Sequence, residues 1–133
     1  MKSQFFTDPG KVRGHNEDSG AIINNENGEW LAIIADGMGG HQAGDVASEL
    51  AVSIMKEKWH ERTEAFENPE QTEQWLTKSL KEVNRIIYDK AQTDPSYSGM
   101  GTTVVATVLA SDFLTVAHIG DSRCYIYNEN GLH

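Results

Sequence analysis

In the first two thirds of the chain, apolar residues form two short runs and then recur at the spacing of a helix. Residues 19–24 and 30–35 are short apolar runs around a turn of asparagines and a glycine, and they predict a β-hairpin. From about Gly44 to Trp59, and again from about Thr72 to Gln92, apolar residues recur every three or four positions. That spacing places them on one face of an amphipathic helix, so two helices are predicted after the hairpin.

β-Branched residues are frequent in the last third of the chain. Runs at 102–109, 114–119 and 123–127 predict three further strands. The order of strands, helices and strands favours an α+β domain, in which an antiparallel sheet carries its helices on one face. Asn130-Gly131 predicts another hairpin turn, and the chain stops where the next strand should begin. We therefore expect residues 1–133 to be the N-terminal part of a single domain in a longer protein.

The composition of the chain limits which binding partners and which cellular compartment are expected. With 11 Lys and Arg against 20 Asp and Glu, the net charge is −9, which argues against nucleic acid or an anionic membrane as a partner. Cys124 is the single cysteine, so no internal disulfide forms, and a small buried side chain is expected there. Neither a signal peptide nor a membrane span is visible in the sequence, and a cytoplasmic location is expected.

An acidic residue follows the second apolar run directly. Residues 30–35 lead into Asp36-Gly37-Met38-Gly39-Gly40-His41, a segment with three glycines. Glycine lets a ligand approach the main chain closely, so the carboxylate and nearby carbonyl groups can share one hard cation. The alternative is a turn before a helix, with Asp36 serving only as a local hydrogen-bond acceptor.

Charged clusters stand at the predicted ends of three strands. They are residues 13–18, 36–41 and 120–123. Alternate strand ends of an antiparallel sheet lie at the same edge, so the three clusters are expected to meet in one oxygen-rich pocket. Oxygen ligands select Mg²⁺ or Mn²⁺, and no Cys and His set has zinc spacing. Arg13 offers a planar guanidinium that suits the paired oxygens of a phosphate.

Four motifs together resemble a known family. They are TDPGKVRGHNED at 7–18, ADGMGGHQAG at 35–44, GMGTT at 99–103 and HIGDSR at 118–123. In this order they resemble the metal-dependent PP2C-type (PPM) protein serine/threonine phosphatases, most closely the bacterial branch. The resemblance covers nearly the whole chain. It implies a β-sandwich flanked by helices, in which a hydroxide bridging two Mn²⁺ or Mg²⁺ ions attacks phosphoserine or phosphothreonine.

The resemblance also assigns metal-binding roles to individual residues. It implies that Asp36 bridges both ions and that the carbonyl of Gly37 ligates one of them. Glu17 and Asp18 would hold metal-bound waters, and Asp121 resembles the ligand of a third, weaker ion. A water held between two cations ionises near neutral pH, which agrees with these roles.

The resemblance also bears on how the substrate phosphate is bound and how the leaving group is protonated. By the resemblance, Arg13 clamps the substrate phosphate. Met38 stands where some relatives have a histidine proposed as general acid, so His41 or a metal-bound water is the expected proton donor to the leaving alcohol. Partners implied by the family are phosphoproteins, with a cognate Ser/Thr kinase and its targets.

The resemblance is incomplete, and other functions stay open. Family members are about twice as long, and their later half supplies further aspartates in an Asp-Gly-Leu-like and an Asp-Asn motif that this chain lacks. The fragment alone is therefore expected to be inactive and prone to self-association. One alternative is a regulatory or pseudophosphatase module that binds phosphoproteins through Arg13. Another is a structural fragment that docks against a separate C-terminal half.

Overall fold

Strands flank a pair of long helices in the chain. The computed structural model describes residues 4–5, 18–39, 41–120, 124–125, 127–128 and 130–132. The elements are β1 (Asp18–Asn24), β2 (Trp30–Met38), α1 (His41–Glu61), α2 (Pro69–Thr93), a 3₁₀ turn (Pro95–Tyr97), β3 (Gly101–Ala110), β4 (Phe113–Ile119), β5 (Tyr127–Asn128) and β6 (Gly131–Leu132). This is the predicted order of strands, helices and strands.

β1 to β4 form one antiparallel sheet in which strands adjacent in sequence are also adjacent in space. The predicted first hairpin is present, with Ile34 of β2 opposite Gly20 of β1. β5 and β6 pair separately as a second hairpin, and Asn128 is opposite Gly131. Gly131 has φ 107°, a left-handed conformation that favours glycine, so the predicted Asn130-Gly131 turn is confirmed.

The helices cover one face of the sheet. Along β2, Leu31, Ile33 and Ala35 are buried, whereas the intervening Ile34 is 51% exposed. Alternate strand residues point to opposite faces, so this alternation means that one face carries the core and the other is open. The prediction of helices on one face is confirmed. The open face also exposes Leu114 and Val116 of β4.

α1 begins at His41, three residues before its predicted start at Gly44. Its buried side chains recur at helical spacing and include Ala47, Ala51 and Met55. Asp45 lies beyond the first turn of the helix, and that turn has no acidic residue. A stabilising effect of Asp45 on the helix dipole is therefore not expected, because the effect falls off within one turn.

α2 has clear sequence signals at both ends. The side chain of Asn68 accepts a hydrogen bond from Gln71 N at 2.9 Å, and Pro69 occupies the first helical position. The helix ends at Thr93, one residue beyond its predicted end at Gln92, with Asp94 as its C-cap before Pro95. The predicted apolar stripe is buried and contains Leu76, Leu80, Val83 and Ile87.

The end of the sheet with the β1–β2 turn is closed by a buried carboxylate and an aromatic cluster. Glu29 is 3% exposed, and its Oε2 accepts from Phe66 N at 2.8 Å while its Oε1 accepts from Asn25 Nδ2 at 2.9 Å. Phe66 packs with the rings of Trp59 and Trp75. The segment between the helices is therefore fastened to the hairpin.

Two predictions for the last third of the chain need correction. Cys124 and Tyr125 are not in a strand, although a strand was predicted over 123–127, and Arg123 and Ile126 lie outside the described residues. Cys124 is exposed, because no paired strand carries it into the core. Within the described ranges, no helix has the length and apolarity needed to cross a membrane.

Candidate active site at one edge of the sheet

A row of residues crosses the sheet at the edge away from the β1–β2 turn. Asp18, which begins β1, is opposite Asp36 of β2, and Asp36 is opposite Thr103 of β3. Gly120, which follows β4, lies against the side chain of Thr103. The antiparallel register therefore brings segments that are distant in sequence to one edge of the sheet.

Two carboxylates face each other in this row. Asp18 and Asp36 are both exposed and directly opposite on the open face. Directly opposed side chains in an antiparallel pair have Cβ atoms about 4.5–5.5 Å apart, and two like charges at that separation repel each other. A bound cation removes the repulsion, and carboxylate oxygens are ligands that Mg²⁺ and Mn²⁺ prefer. These described residues thus fit a divalent metal ion.

β2 extends further toward this site than the sequence indicated. The apolar run ends at Ala35, but pairing continues through Gly37 opposite Thr102 and Met38 opposite Gly101. Asp36 therefore belongs to a paired strand, whereas the sequence had placed it in a loop. The backbone reverses direction after Met38, at Gly39, which has φ 122°. A hydrogen-bonded strand holds the carboxylate more firmly than a loop does.

The other predicted site residues divide into two groups. Arg13, Glu17 and Asp121 lie outside the described residues, and their roles stay predictions. Asp121 directly follows Gly120 in sequence. His41 is the first residue of α1, and only its backbone is described. Among the residues that the structure describes, no three His, Cys, Asp or Glu side chains form a potential metal-binding group.

A mainly apolar cavity of about 210 Å³ lies between α2 and the ends of β2 and β3. Met38, Met100, Gly101 and Thr102 contribute to its wall from the strand side, and α2 closes the other side. The described residues that line it include no carboxylate. Two larger cavities, of about 580 and 520 Å³, lie along α2 and β4 and at the β1–β2 turn.

Sequence reasoning did not single out Thr103 as an individual residue. It is 7% exposed and occupies the middle of the row, between Asp36 and Gly120. The GMGTT motif at 99–103 marked the segment but indicated no role for it. Only the register of β3 against β2 reveals where the threonine lies.

Comparison with known proteins agrees with this architecture. The family model described as protein phosphatase 2C matches residues 11–132. The chain belongs to the protein phosphatase 2C family. The family predicted from the four motifs is therefore confirmed. Phosphatases of this family use Mg²⁺ or Mn²⁺ ions.

Bacterial phosphatases are among the relatives of this chain. The serine/threonine phosphatase stp of Listeria welshimeri is 45% identical over 132 residues, which cover 99% of this chain and 52% of the relative. Protein phosphatase PhpP of Streptococcus pneumoniae is 36% identical over the whole chain, which covers 53% of that relative. The chain thus spans about half the length of the curated relatives it matches.

Solved structures of the family share the fold. The serine/threonine phosphatase Stp1 from Staphylococcus aureus superposes with a TM-score of 0.87 at 38% identity, over 98% of this chain and 50% of that one. The phosphatase PstP/Ppp of Mycobacterium tuberculosis gives a TM-score of 0.74 at 33% identity, over 93% of this chain and 48% of that one. The four-stranded antiparallel sheet with its two helices matches part of the phosphatase fold, as predicted.

Proposed function

We propose that the full-length protein is a metal-dependent phosphatase that hydrolyses phosphoserine and phosphothreonine in proteins, and that this chain supplies the N-terminal half of its catalytic domain. The observation that carries the proposal is the opposed pair of Asp18 and Asp36 at one edge of the sheet. Membership of the protein phosphatase 2C family and the names of its relatives support the same reaction.

The proposal assigns metal binding to residues at this edge and to others that are close to them in sequence. Asp36 would hold the divalent ions, and the carbonyl group of Gly37 would be a further ligand. Glu17 and Asp18 would hold water molecules of the ligand shell, and Asp121 would serve a third, weaker site. When bound, Mg²⁺ or Mn²⁺ would activate the attacking water and stabilise charge on the attacking and leaving oxygens.

Two residues act on the substrate in this proposal. Arg13 binds two phosphate oxygens with its planar guanidinium, which positions the phosphorus for in-line attack. His41 is the proposed proton donor to the departing serine or threonine hydroxyl. Its place as the first residue of α1, close in sequence to Asp36, supports that role. The substrates are expected to be cytoplasmic proteins phosphorylated by a cognate Ser/Thr kinase.

A binding module without turnover is the second candidate. It would retain Arg13 for phosphoprotein recognition but would lack a complete metal shell. The described part of the chain is compatible with it, because no three potential ligands there form a metal-binding group. Relatives about twice as long favour the enzyme, because the missing ligands then come from residues beyond this chain.

The deciding experiment measures hydrolysis by the full-length protein. We expect it to hydrolyse p-nitrophenyl phosphate and a phosphothreonine peptide with Mn²⁺ or Mg²⁺, to lose activity in EDTA, and to recover when Mn²⁺ is restored. Undiminished turnover in EDTA would rule out the metal-dependent mechanism. Phosphopeptide binding without turnover at any metal concentration would favour the binding module.

A further inference from the structure

The GMGTT motif lies directly beside the proposed metal site. Gly101, Thr102 and Thr103 pair with Met38, Gly37 and Asp36 of β2. The segment therefore runs along the part of β2 that carries the central carboxylate. Gly39 and Gly120, which belong to other segments, approach this motif more closely than a residue with a side chain could.

The first close approach involves the turn after β2. Gly39 has φ 122°, and a Cβ atom at this position would lie 2.8 Å from the Cα of Met100. That Cα is a backbone atom, so it cannot rotate away as a flexible side chain could. Met100 is 7% exposed and part of the core. The turn between Asp36 and α1 therefore rests directly on a fixed part of the protein.

The second close approach involves the residue before Asp121. Gly120 has φ 95°, and a Cβ atom there would lie 2.5 Å from Cγ2 and 2.9 Å from Cβ of Thr103. Thr103 is 7% exposed and β-branched, so its methyl group has few alternative rotamers. The chain leaving β4 therefore rests on Thr103, just before it reaches Asp121.

We infer that Met100 and Thr103 form a positioning platform for the metal site. Met100 supports the turn that follows Asp36, and Thr103 fixes the point at which the chain departs toward Asp121. Both are positioning residues, not catalytic ones. The inference rests on the proposed function, because it takes Asp36 and Asp121 as metal-binding residues.

The physical reason lies in the strictness of metal geometry. Mg²⁺ requires near-ideal octahedral coordination, so its ligands must be held closely. Carbon atoms in ordinary contact are about 3.5–4.0 Å apart, so a methyl group at Gly120 would push the chain and Thr103 apart by about 1 Å. A misplacement of about 1 Å can lower catalytic efficiency by about a hundredfold.

The chain offers a control for each part of the effect. Gly28 has φ 75° with nothing within 4 Å, so alanine there adds backbone strain without a clash. Gly101 shows the opposite combination, because its Cβ would lie 3.5 Å from Met38 Cγ, an ordinary contact, and its φ is not left-handed. Gly28→Ala therefore introduces the same kind of backbone strain as Gly120→Ala but no clash. Gly101→Ala tests whether the segment beside β2 tolerates an added methyl group.

The experiment is a double-mutant cycle in the full-length protein: Gly120→Ala, Thr103→Ser, and both together. Thr103→Ser removes the methyl group that meets Gly120 and keeps the hydroxyl. Three quantities are measured: Mn²⁺ affinity by calorimetry without substrate, kcat/KM, and the ¹⁹F NMR shift of a trifluoromethyl label on Cys124, the exposed cysteine of this chain. Thermal unfolding confirms that each variant is folded at the assay temperature.

We expect Gly120→Ala to weaken Mn²⁺ affinity at least about tenfold and kcat/KM by up to about a hundredfold, and to move the label signal. The double variant should recover part of all three, because the new methyl group occupies the space that Thr103→Ser vacates. Gly28→Ala and Gly101→Ala should keep wild-type Mn²⁺ affinity. If Gly120→Ala does not fold, Thr103→Ser alone should still weaken Mn²⁺ binding more than Gly101→Ala does.

Equal Mn²⁺ affinities for Gly120→Ala and Gly28→Ala, or a strictly additive double variant, would overturn the platform. Wild-type Mn²⁺ affinity in Thr103→Ser would do the same where Gly120→Ala does not fold. Absence of Mn²⁺-dependent hydrolysis in the wild type would instead refute the proposed function. In that case the label still tests the contact itself: a signal that moves in Gly120→Ala and returns in the double variant shows that Thr103 positions the chain at Gly120, and an unchanged signal refutes that positioning.

Discussion

The two ends of the sheet use carboxylates in opposite ways. At the β1–β2 turn, Glu29 is 3% exposed, and both of its carboxylate oxygens accept hydrogen bonds, from Asn25 Nδ2 and Phe66 N. At the other end, Asp36 is exposed and directly opposite Asp18, a second carboxylate. One acid is satisfied by the protein itself, and the other faces a group of the same charge.

This difference separates a structural acid from the proposed ligand-binding one. A buried carboxylate is tolerated only where hydrogen bonds or a counterion compensate for lost hydration, and Glu29 meets that condition with its two hydrogen bonds. Asp36 is exposed and faces a second carboxylate, an arrangement that a bound cation stabilises. Loss of Glu29 should therefore reduce stability, and loss of Asp36 should reduce activity. Four predictions test this contrast, in order of decreasing effect.

Asp36→Asn should remove function and leave the fold intact. We expect kcat/KM of the full-length protein to fall by at least about a hundredfold, because one group that stabilises charge in the active site is lost. The melting temperature of the metal-free protein should stay the same or rise slightly, since repulsion with Asp18 is relieved. Asp112→Asn, an exposed acid in the β3–β4 turn, is the matched control and should change neither quantity. A metal-free melting temperature lowered by many degrees would make Asp36 structural.

Arg13→Ala tests whether the active-site end also binds an anion. A charge-assisted pair with phosphate contributes about 1.5–3 kcal/mol, so kcat/KM should fall roughly ten- to a hundredfold with Mn²⁺ affinity unchanged. Arg13→Lys should recover only part, because lysine has the charge but lacks the planar fork. Arg85→Ala, which removes an exposed arginine from α2, serves as the control. Wild-type kinetics in Arg13→Ala would refute the phosphate clamp.

Glu29→Ala should have the opposite effect to Asp36→Asn. It leaves Phe66 N and Asn25 Nδ2 without their acceptor, and we expect the free energy of unfolding to fall by about 2 kcal/mol. Glu29→Gln keeps one acceptor oxygen and should cost less. Denaturant unfolding measures both variants, and kcat/KM per folded molecule should match the wild type. A stable Glu29→Ala protein with impaired kinetics would reverse the assignment of the two ends.

Asp94 is an intermediate case, because it is exposed but hydrogen-bonded. Its carboxylate accepts from Ser96 Oγ at 2.7 Å and from Ser96 N at 3.0 Å, and these bonds hold its pKa below the ordinary 3.8. A lowered pKa stabilises the folded state at pH values above 3.8, and this stabilisation is lost as the pH falls through the lowered pKa. Melting temperatures of wild type and Asp94→Asn should differ slightly at pH 7 and converge in acid. A melting-temperature difference that does not change with pH would show that the charge of Asp94 does not contribute to stability.

Local patterns were sufficient for much of the fold. The first hairpin, both helices and strands β3 and β4 follow from spacing and turn residues, because each signal lies within one element, whereas the strand predicted over 123–127 was wrong. The buried stripe of α2 and its end were predicted closely, and the helix begins at Pro69, three residues before the predicted start at Thr72. The start of α1 and the end of β2 were predicted less accurately. For β2 the reason is that Gly37 and Met38 belong to the strand only through their pairing with β3.

The sequence by itself determined the family and the chemical character of the site. Four motifs and a surplus of acidic residues were enough to indicate oxygen ligands and a divalent metal, because residue type sets ligand preference. The roles of Arg13, Glu17 and Asp121 stay predictions from those motifs. None of this required knowledge of which strands pair.

Tertiary structure alone decided which acids meet and which are buried. Asp18 is opposite Asp36, and Gly120 rests on Thr103, only because the strands pair in one register, and a shift of one residue would move each side chain to the other face. Glu29 is likewise buried only because the segment after α1 folds back over the hairpin and places Phe66 N against it. Glu29 directly precedes β2 and Asp36 lies within it. Long-range packing buries Glu29 in the core and leaves Asp36 at the surface.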